Sequence, residues 1–85
     1  MKVWASVIKN TRTIKRAYAH SDNADSSEAL MECLEAVYKE LDVAEPVWVK
    51  KHAMDLARYT RTRFLPEDFL EHVDFDSLVI EYSAV

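Results

Sequence analysis

Residues 2–20 have the sequence Lys-Val-Trp-Ala-Ser-Val-Ile-Lys-Asn-Thr-Arg-Thr-Ile-Lys-Arg-Ala-Tyr-Ala-His, and this stretch indicates the fold. Residues 2–9 are rich in β-branched and aromatic types, which is typical of a strand. Residues 14–20 alternate in polarity as a second strand would. Between them Asn10 begins a turn, because asparagine tolerates the positive φ that glycine usually provides. The sequence therefore predicts an antiparallel hairpin.

The first strand carries apolar side chains on both of its faces. Alternation places Val3, Ala5 and Val7 on one face, and Trp4 and Ile8 on the other. A two-layer domain covers only one face of its sheet, so one of these sets is exposed unless a further surface covers it. We therefore expect Trp4 and Ile8 to form an interface, unless the C-terminal segment wraps that face of a monomer.

The clearest periodic pattern follows the hairpin and predicts an amphipathic helix over residues 26–41. Asp25 and Glu28 have capping-box spacing, in which Asp25 accepts backbone N–H bonds and Glu28 reaches back. The apolar stripe steps by three and four residues, and consists of Leu30, Cys33, Leu34, Val37, Tyr38 and Leu41.

The second half of the chain predicts shorter elements. Pro46 suits the first turn of a second helix over residues 47–59. Residues 60–65 fit either a short strand or the end of that helix. Proline and two acids predict one helical turn over residues 66–70, and residues 77–82 predict a final strand.

These elements predict a small α+β protein with the order β-β-α-α-β. The simplest arrangement is a three-stranded, mainly antiparallel sheet, packed on one face by the two helices. A length of 85 residues fits a single domain, residues 1–85.

Composition excludes several classes of site. The chain has no glycine, which Walker-A loops, dinucleotide-binding loops, nucleophile elbows and EF-hand loops all require. The single cysteine, Cys33, excludes an intramolecular disulfide and suits a reducing compartment. The sequence shows neither a membrane-spanning segment nor a signal peptide, so we expect a cytoplasmic protein with no membrane association.

No motif predicts an enzyme, a cofactor, a metal site or a small-molecule substrate. The soft metal ligands are His20, His52, His72 and Cys33, and none has the spacing of a metal motif. Asp74 and Asp76 could in principle coordinate a hard cation or act in acid–base chemistry, but two acids before a strand are more often turn residues.

Charge is organised in blocks along a chain whose net charge is −4. Bases concentrate in residues 1–20 and 46–63, and acids in residues 21–45 and 64–85. The blocks could neutralise one another, or the basic ones could bind an anion or nucleic acid with Trp4, Tyr18 or Tyr59 stacking on bases. The candidate contacts are Arg58, Arg61, Arg63, Lys15 and Arg16.

Four stretches resemble a group of small uncharacterised bacterial proteins, mainly from Firmicutes, that has no established function. They are Lys-Val-Trp-Ala-Ser-Val-Ile-Lys (residues 2–9), Pro-Val-Trp-Val-Lys-Lys-His (46–52), Thr-Arg-Phe-Leu-Pro-Glu-Asp-Phe (62–69) and Val-Asp-Phe-Asp-Ser-Leu-Val-Ile-Glu (73–81). The resemblance implies a family and assigns no catalytic or binding residue.

The sequence thus predicts a non-catalytic interaction module with a protein partner or a second copy of itself. The alternative is a nucleic-acid-associated regulatory module that uses a basic face.

Overall fold

The predicted hairpin is present in the structure, a computed structural model that describes residues 1–84. Strand β1 (Lys2–Lys9) pairs antiparallel with β2 (Arg12–His20). β2 begins two residues earlier than predicted, because the turn contains only Asn10 and Thr11, with φ of 53° and 64°. Two central residues of positive φ give a turn whose twist matches that of the flanking strands. Val85, the last residue of the predicted domain, lies outside the described residues.

Asp76 holds this turn against the C-terminal part of the chain. Its carboxylate Oδ2 accepts the Asn10 N–H at 2.7 Å, and its own N–H donates to the Ile8 carbonyl at 2.8 Å. Asp76 therefore has the structural role of a turn residue.

Helix α1 (Ser26–Leu41) has the predicted bounds, and Asp25 caps it by accepting the Glu28 N–H at 3.0 Å. The other half of the expected capping box differs. Asn23 Oδ1, not Glu28, accepts the Asp25 N–H, at 2.9 Å. The apolar stripe faces the core, where α1 buries Ala29, Cys33, Leu34, Val37, Tyr38 and Leu41.

Helix α2 (Lys50–Tyr59) begins three residues later than predicted. Val47 lies outside the helix, because its N–H donates to a backbone carbonyl of the later 3-10 turn at 2.7 Å. The helix begins after Val49, whose N–H donates to Nδ1 of His52 at 3.1 Å. The expected place of Pro46 in the first helical turn is therefore wrong.

The prediction of three strands is also wrong, because the described residues form a four-stranded antiparallel sheet of order β2-β1-β4-β3. Thr60, with φ of 56°, ends α2 and leads the chain directly into β3 (Arg61–Phe64). A 3-10 turn (Pro66–Asp68) follows, and β3 then pairs with β4 (Ser77–Ser83). Of the two alternatives for residues 60–65, the short strand is the one that the structure contains.

Both helices pack on the same face of the sheet, α1 against β1 and β2 and α2 against β3. Val3, Ala5 and Val7 of β1 point into this core, with exposures of 1% or less. The alternate residues of each strand therefore lie on the other face, which neither helix covers.

Candidate functional site

The face of the sheet opposite the helices is the candidate site, and we call it the open face. It consists of Lys2, Trp4, Ser6 and Ile8 of β1, Arg16, Tyr18 and His20 of β2, Ser77, Val79, Glu81 and Ser83 of β4, and Arg61 and Arg63 of β3. Residues that are directly paired between strands share a face, so the pairing register arranges these side chains in rows across the sheet.

The first row contains an aromatic pair. Tyr18, Trp4, Glu81 and Arg61 lie side by side on β2, β1, β4 and β3. The ring centroids of Trp4 and Tyr18 are 5.7 Å apart, and the two side chains are 43% and 49% exposed. A contact between two large aromatic side chains that both remain half exposed offers an apolar surface to a partner.

The second row places one arginine on each edge strand. Arg16 on β2 and Arg63 on β3 are exposed, and the short side chains of Ser6 and Val79 lie between them. The open face therefore has a cation on each edge strand in this row and the aromatic pair in the next row.

Arg61 lies in the first row opposite Glu81, and its Nε is 3.9 Å from Glu81 Oε1. Both side chains are at least half exposed, so this ion pair is screened by water and contributes little to stability. Arg61 therefore remains available to a ligand.

The structure separates the five basic residues that the sequence grouped together. Arg16, Arg61 and Arg63 lie on the open face. Arg58 is on α2, in the helix layer. Lys15 is on the helix side of β2, where its Nζ donates to the Leu41 carbonyl at 3.2 Å and stabilises the C-terminal end of α1.

The two predicted interface residues both lie on the open face. Trp4 is at its centre in the first row, and Ile8 is partly buried at the end near the hairpin turn, opposite Ser77. Tyr18 pairs with Trp4, whereas Tyr59, the other tyrosine considered for stacking, is an exposed residue of α2.

Lys2 and Glu81 belong to the open face, although the sequence did not single them out. Alternation along β1 places Lys2 on the same face as Trp4, so the position of Lys2 could have been predicted from the strand pattern. Glu81 could not be placed beside Trp4 before the order of the strands was known.

A second feature is an apolar cleft of about 520 Å³ between the two helices. Leu30, Met31, Leu34, Trp48 and Leu56 are among the apolar side chains that line it, with Glu45 among the few polar groups. Its floor is the end of the sheet near Tyr82.

The buried polar groups beside this cleft are paired with one another. His52 is 3% exposed, and its Nδ1 accepts the Val49 N–H while Nε2 lies 3.4 Å from Asp68 Oδ2. Trp48 Nε1 donates to the Tyr38 hydroxyl at 3.2 Å. Burial raises the pKa of Tyr38 to about 12, although the bond from Trp48 acts in the opposite direction. This arrangement holds α1, α2 and the 3-10 turn together.

Within residues 1–84, no three His, Cys, Asp or Glu side chains come together in a way that would hold a metal ion. Cys33 is buried in the core, and burial raises the pKa of its thiol, which disfavours the reactive thiolate. No helix in the described part of the chain is long and apolar enough to cross a membrane.

The resemblance to small bacterial proteins rests on the four stretches quoted above and stays a prediction. No known protein family, curated protein or solved structure matches the chain.

Proposed function

We propose that the protein is a non-catalytic interaction module whose binding surface is the open face. The observation that carries the proposal is the contact between Trp4 and Tyr18, which are 43% and 49% exposed on a face that neither helix covers. Tryptophan, tyrosine and arginine are the residue types that dominate binding at interfaces, and all three are present on this face.

The charge of the open face favours a partner other than a second copy. A face-to-face dimer with twofold symmetry would bring the arginine-bearing surfaces of two copies together. Arg16, Arg61 and Arg63 would then face like charges, with Glu81 as the one carboxylate among the strand residues of the face described above. A partner that carries negative charge is attracted to the same surface.

The polar groups on the helix side support a role without catalysis. His52 and Asp68 are engaged with each other and with backbone N–H groups, and Tyr38 is engaged with Trp48. These contacts use His52, Asp68 and Tyr38 for packing, so these three groups are not free to act on a substrate in the cleft.

We also propose that the module works in the cytoplasm. The single cysteine, Cys33, is free and buried, and an unpaired thiol suits a reducing compartment.

Site-specific photocrosslinking in cells of the native source tests the proposed surface. A benzophenone amino acid replaces Tyr18 on the open face or, as a control, Leu70, which is 92% exposed outside every strand and helix. We expect a discrete covalent adduct at position 18 and none at position 70. An adduct of twice the chain's mass identifies a second copy as the partner. Equal labelling at both positions, or no adduct at position 18, would contradict the proposed surface.

A further inference from the structure

We propose that the open face binds single-stranded nucleic acid, with bases stacked on Trp4 and Tyr18 and phosphates held by Arg16, Arg61 and Arg63. This inference rests on the proposed function, because it names the partner of the same surface. It is carried by the placement of the aromatic pair and the arginines in adjacent rows of one sheet face.

The aromatic pair determines the kind of group that can bind. The rings of Trp4 and Tyr18 meet at an angle of 48°, and each side chain is nearly half exposed. Every nucleic-acid base has a π face that stacks on such rings, so a strand with unpaired bases can use the pair irrespective of its sequence. Bases inside a duplex are already stacked on each other, which makes a double helix a poor ligand for this surface.

The arginines determine the charge of the ligand. Adjacent strands in a sheet are about 4.8 Å apart, so the backbones of Arg16 and Arg63 are about 14 Å apart across the second row. Ser6 and Val79 lie between them, and Val79 is 7% exposed, so in this row a ligand contacts mainly the two arginines. Arginine presents several N–H donors in a plane and can hold a phosphate through two of them.

The open face and the outer surface of α1 differ in charge. The chain has a net charge of −4, whereas the open face carries Lys2, Arg16, Arg61 and Arg63. The carboxylates at this face are Glu81 and Asp22, whose Oδ1 lies 3.0 Å from His20 Nε2. The outer surface of α1 is acidic, with Glu28, Glu32, Glu35 and Glu40 exposed. A phosphate backbone is repelled by the outer surface of α1 and attracted by the arginines of the open face. An acidic protein segment would share the attraction but would lack a row of flat groups to stack on the aromatic pair.

Fluorescence anisotropy with labelled oligonucleotides tests the proposal on the full chain. The probes are oligouridylate and oligothymidylate of about 12 nucleotides, which compare RNA with DNA, and a duplex of the same length. We expect both single strands to bind more tightly than the duplex. Affinity should fall as salt rises from about 50 to 200 mM, because binding releases counterions.

Two variants locate the contact. R16Q/R63Q removes two charges from the open face and keeps two of the three methylene groups of each stem. It should weaken binding about tenfold or more and reduce the slope of log affinity against log salt concentration by about 1.4. Trp4→Leu should weaken binding about 10- to 100-fold through lost stacking. The matched control is K50Q/K51Q, which removes two exposed charges from α2 and should bind within about twofold of the parent chain. Circular dichroism confirms that each variant is folded.

Three results would overturn the proposal: no binding of either single strand at low salt, duplex binding as tight as single-strand binding, or equal losses in R16Q/R63Q and K50Q/K51Q. The crosslinking experiment at position 18 separates this failure from failure of the proposed function. A protein adduct at position 18 would support the open face as a binding surface and would show that its partner is a protein, not nucleic acid. No adduct at position 18 would contradict both the proposed surface and the proposed ligand.

Discussion

Arg16 and Arg63 lie in one row of the four-stranded sheet, on the two edge strands, with Ser6 and Val79 between them. No carboxylate lies in this row, so the two guanidinium groups are not neutralised by a cross-strand partner. Charges that a fold leaves unpaired on one surface contribute little to its stability and are available for binding.

The absence of a partner for either guanidinium in this row predicts that Arg16 and Arg63 are not required for folding. We expect R16Q/R63Q to unfold in urea with a free energy within about 1 kcal/mol of the parent chain, because both side chains are exposed and glutamine keeps most of the apolar stem. A loss of more than about 2 kcal/mol would show that the arginines serve the fold instead.

The hairpin turn contains a residue in an unfavourable conformation. Thr11 is β-branched and has φ of 64°, in a chain that has no glycine. Left-handed backbone costs such a residue about 1–2 kcal/mol. Thr11→Gly should therefore raise the free energy of unfolding by about 0.5–1 kcal/mol, measured by urea denaturation.

Ser6→Gly is the control, because Ser6 lies in the middle of β1 and is paired regularly with Arg16 and Val79. Glycine in a strand interior should lower stability by about 0.5–1 kcal/mol. If both glycine variants lose stability equally, the turn stores no strain at Thr11.

The Thr62 hydroxyl is buried on the core side of β3 and has no hydrogen-bond partner within residues 1–84. A buried hydroxyl that makes no hydrogen bond lowers stability, because water is lost without replacement. Thr62→Val keeps the shape and removes the hydroxyl, so we expect it to raise the free energy of unfolding by about 1 kcal/mol. A decrease would show that the hydroxyl has a partner in solution. Thr13→Val, at an exposed position of β2, should change stability by less than about 0.5 kcal/mol.

Tyr38 makes the free energy of unfolding depend on pH in the alkaline range. Burial, opposed by the bond from Trp48 and assisted by Glu45, raises the pKa of its phenol to about 12. The folded state thus holds the phenol proton more tightly than the unfolded chain does, whose pKa is near 10. The resulting stabilisation is complete below pH about 10 and is lost as the pH rises through about 12, on the order of 2–3 kcal/mol.

Unfolding free energies of the parent chain and Tyr38→Phe, measured at several pH values over this range, isolate the effect. Both chains share every other titrating group, so the difference between them reports on the phenol at position 38. We expect the variant to lose less stability with rising pH, and identical pH profiles would contradict the assignment.

Local patterns predicted much of the fold. The stripe from Leu30 to Leu41 and the cap at Asp25 determined α1, and alternation placed Trp4 opposite Val3 on β1. These features depend on residues that are neighbours in sequence.

Features that depend on distant contacts were missed. Val47 lies outside α2 because its N–H donates to the distant 3-10 turn. β3 is a strand because Thr60 ends the helix in a left-handed conformation and β4 supplies a partner. Neither contact is visible in a short stretch of sequence.

The open face likewise combines features that local sequence predicts with features that depend on the order of the strands. Arg61 and Arg63 share a face of β3, as alternation along a strand requires. Their position beside Trp4 and Arg16 depends on the order β2-β1-β4-β3, which the sequence did not provide. Lys15 and Arg16 are adjacent in sequence but lie on opposite faces, so a basic cluster in sequence was not a cluster in space.

The two tryptophans provide the most direct test of the open face as a site for single-stranded nucleic acid. Trp4 lies on that face, whereas Trp48 is on the helix side with its Nε1 donating to Tyr38. Each indole N–H gives its own signal in a two-dimensional proton–nitrogen NMR spectrum, which can be followed while oligouridylate is added. We predict that the Trp4 signal shifts or broadens and that the Trp48 signal stays in place. An unchanged Trp4 signal at saturating oligonucleotide, or a change confined to Trp48, would contradict the proposal.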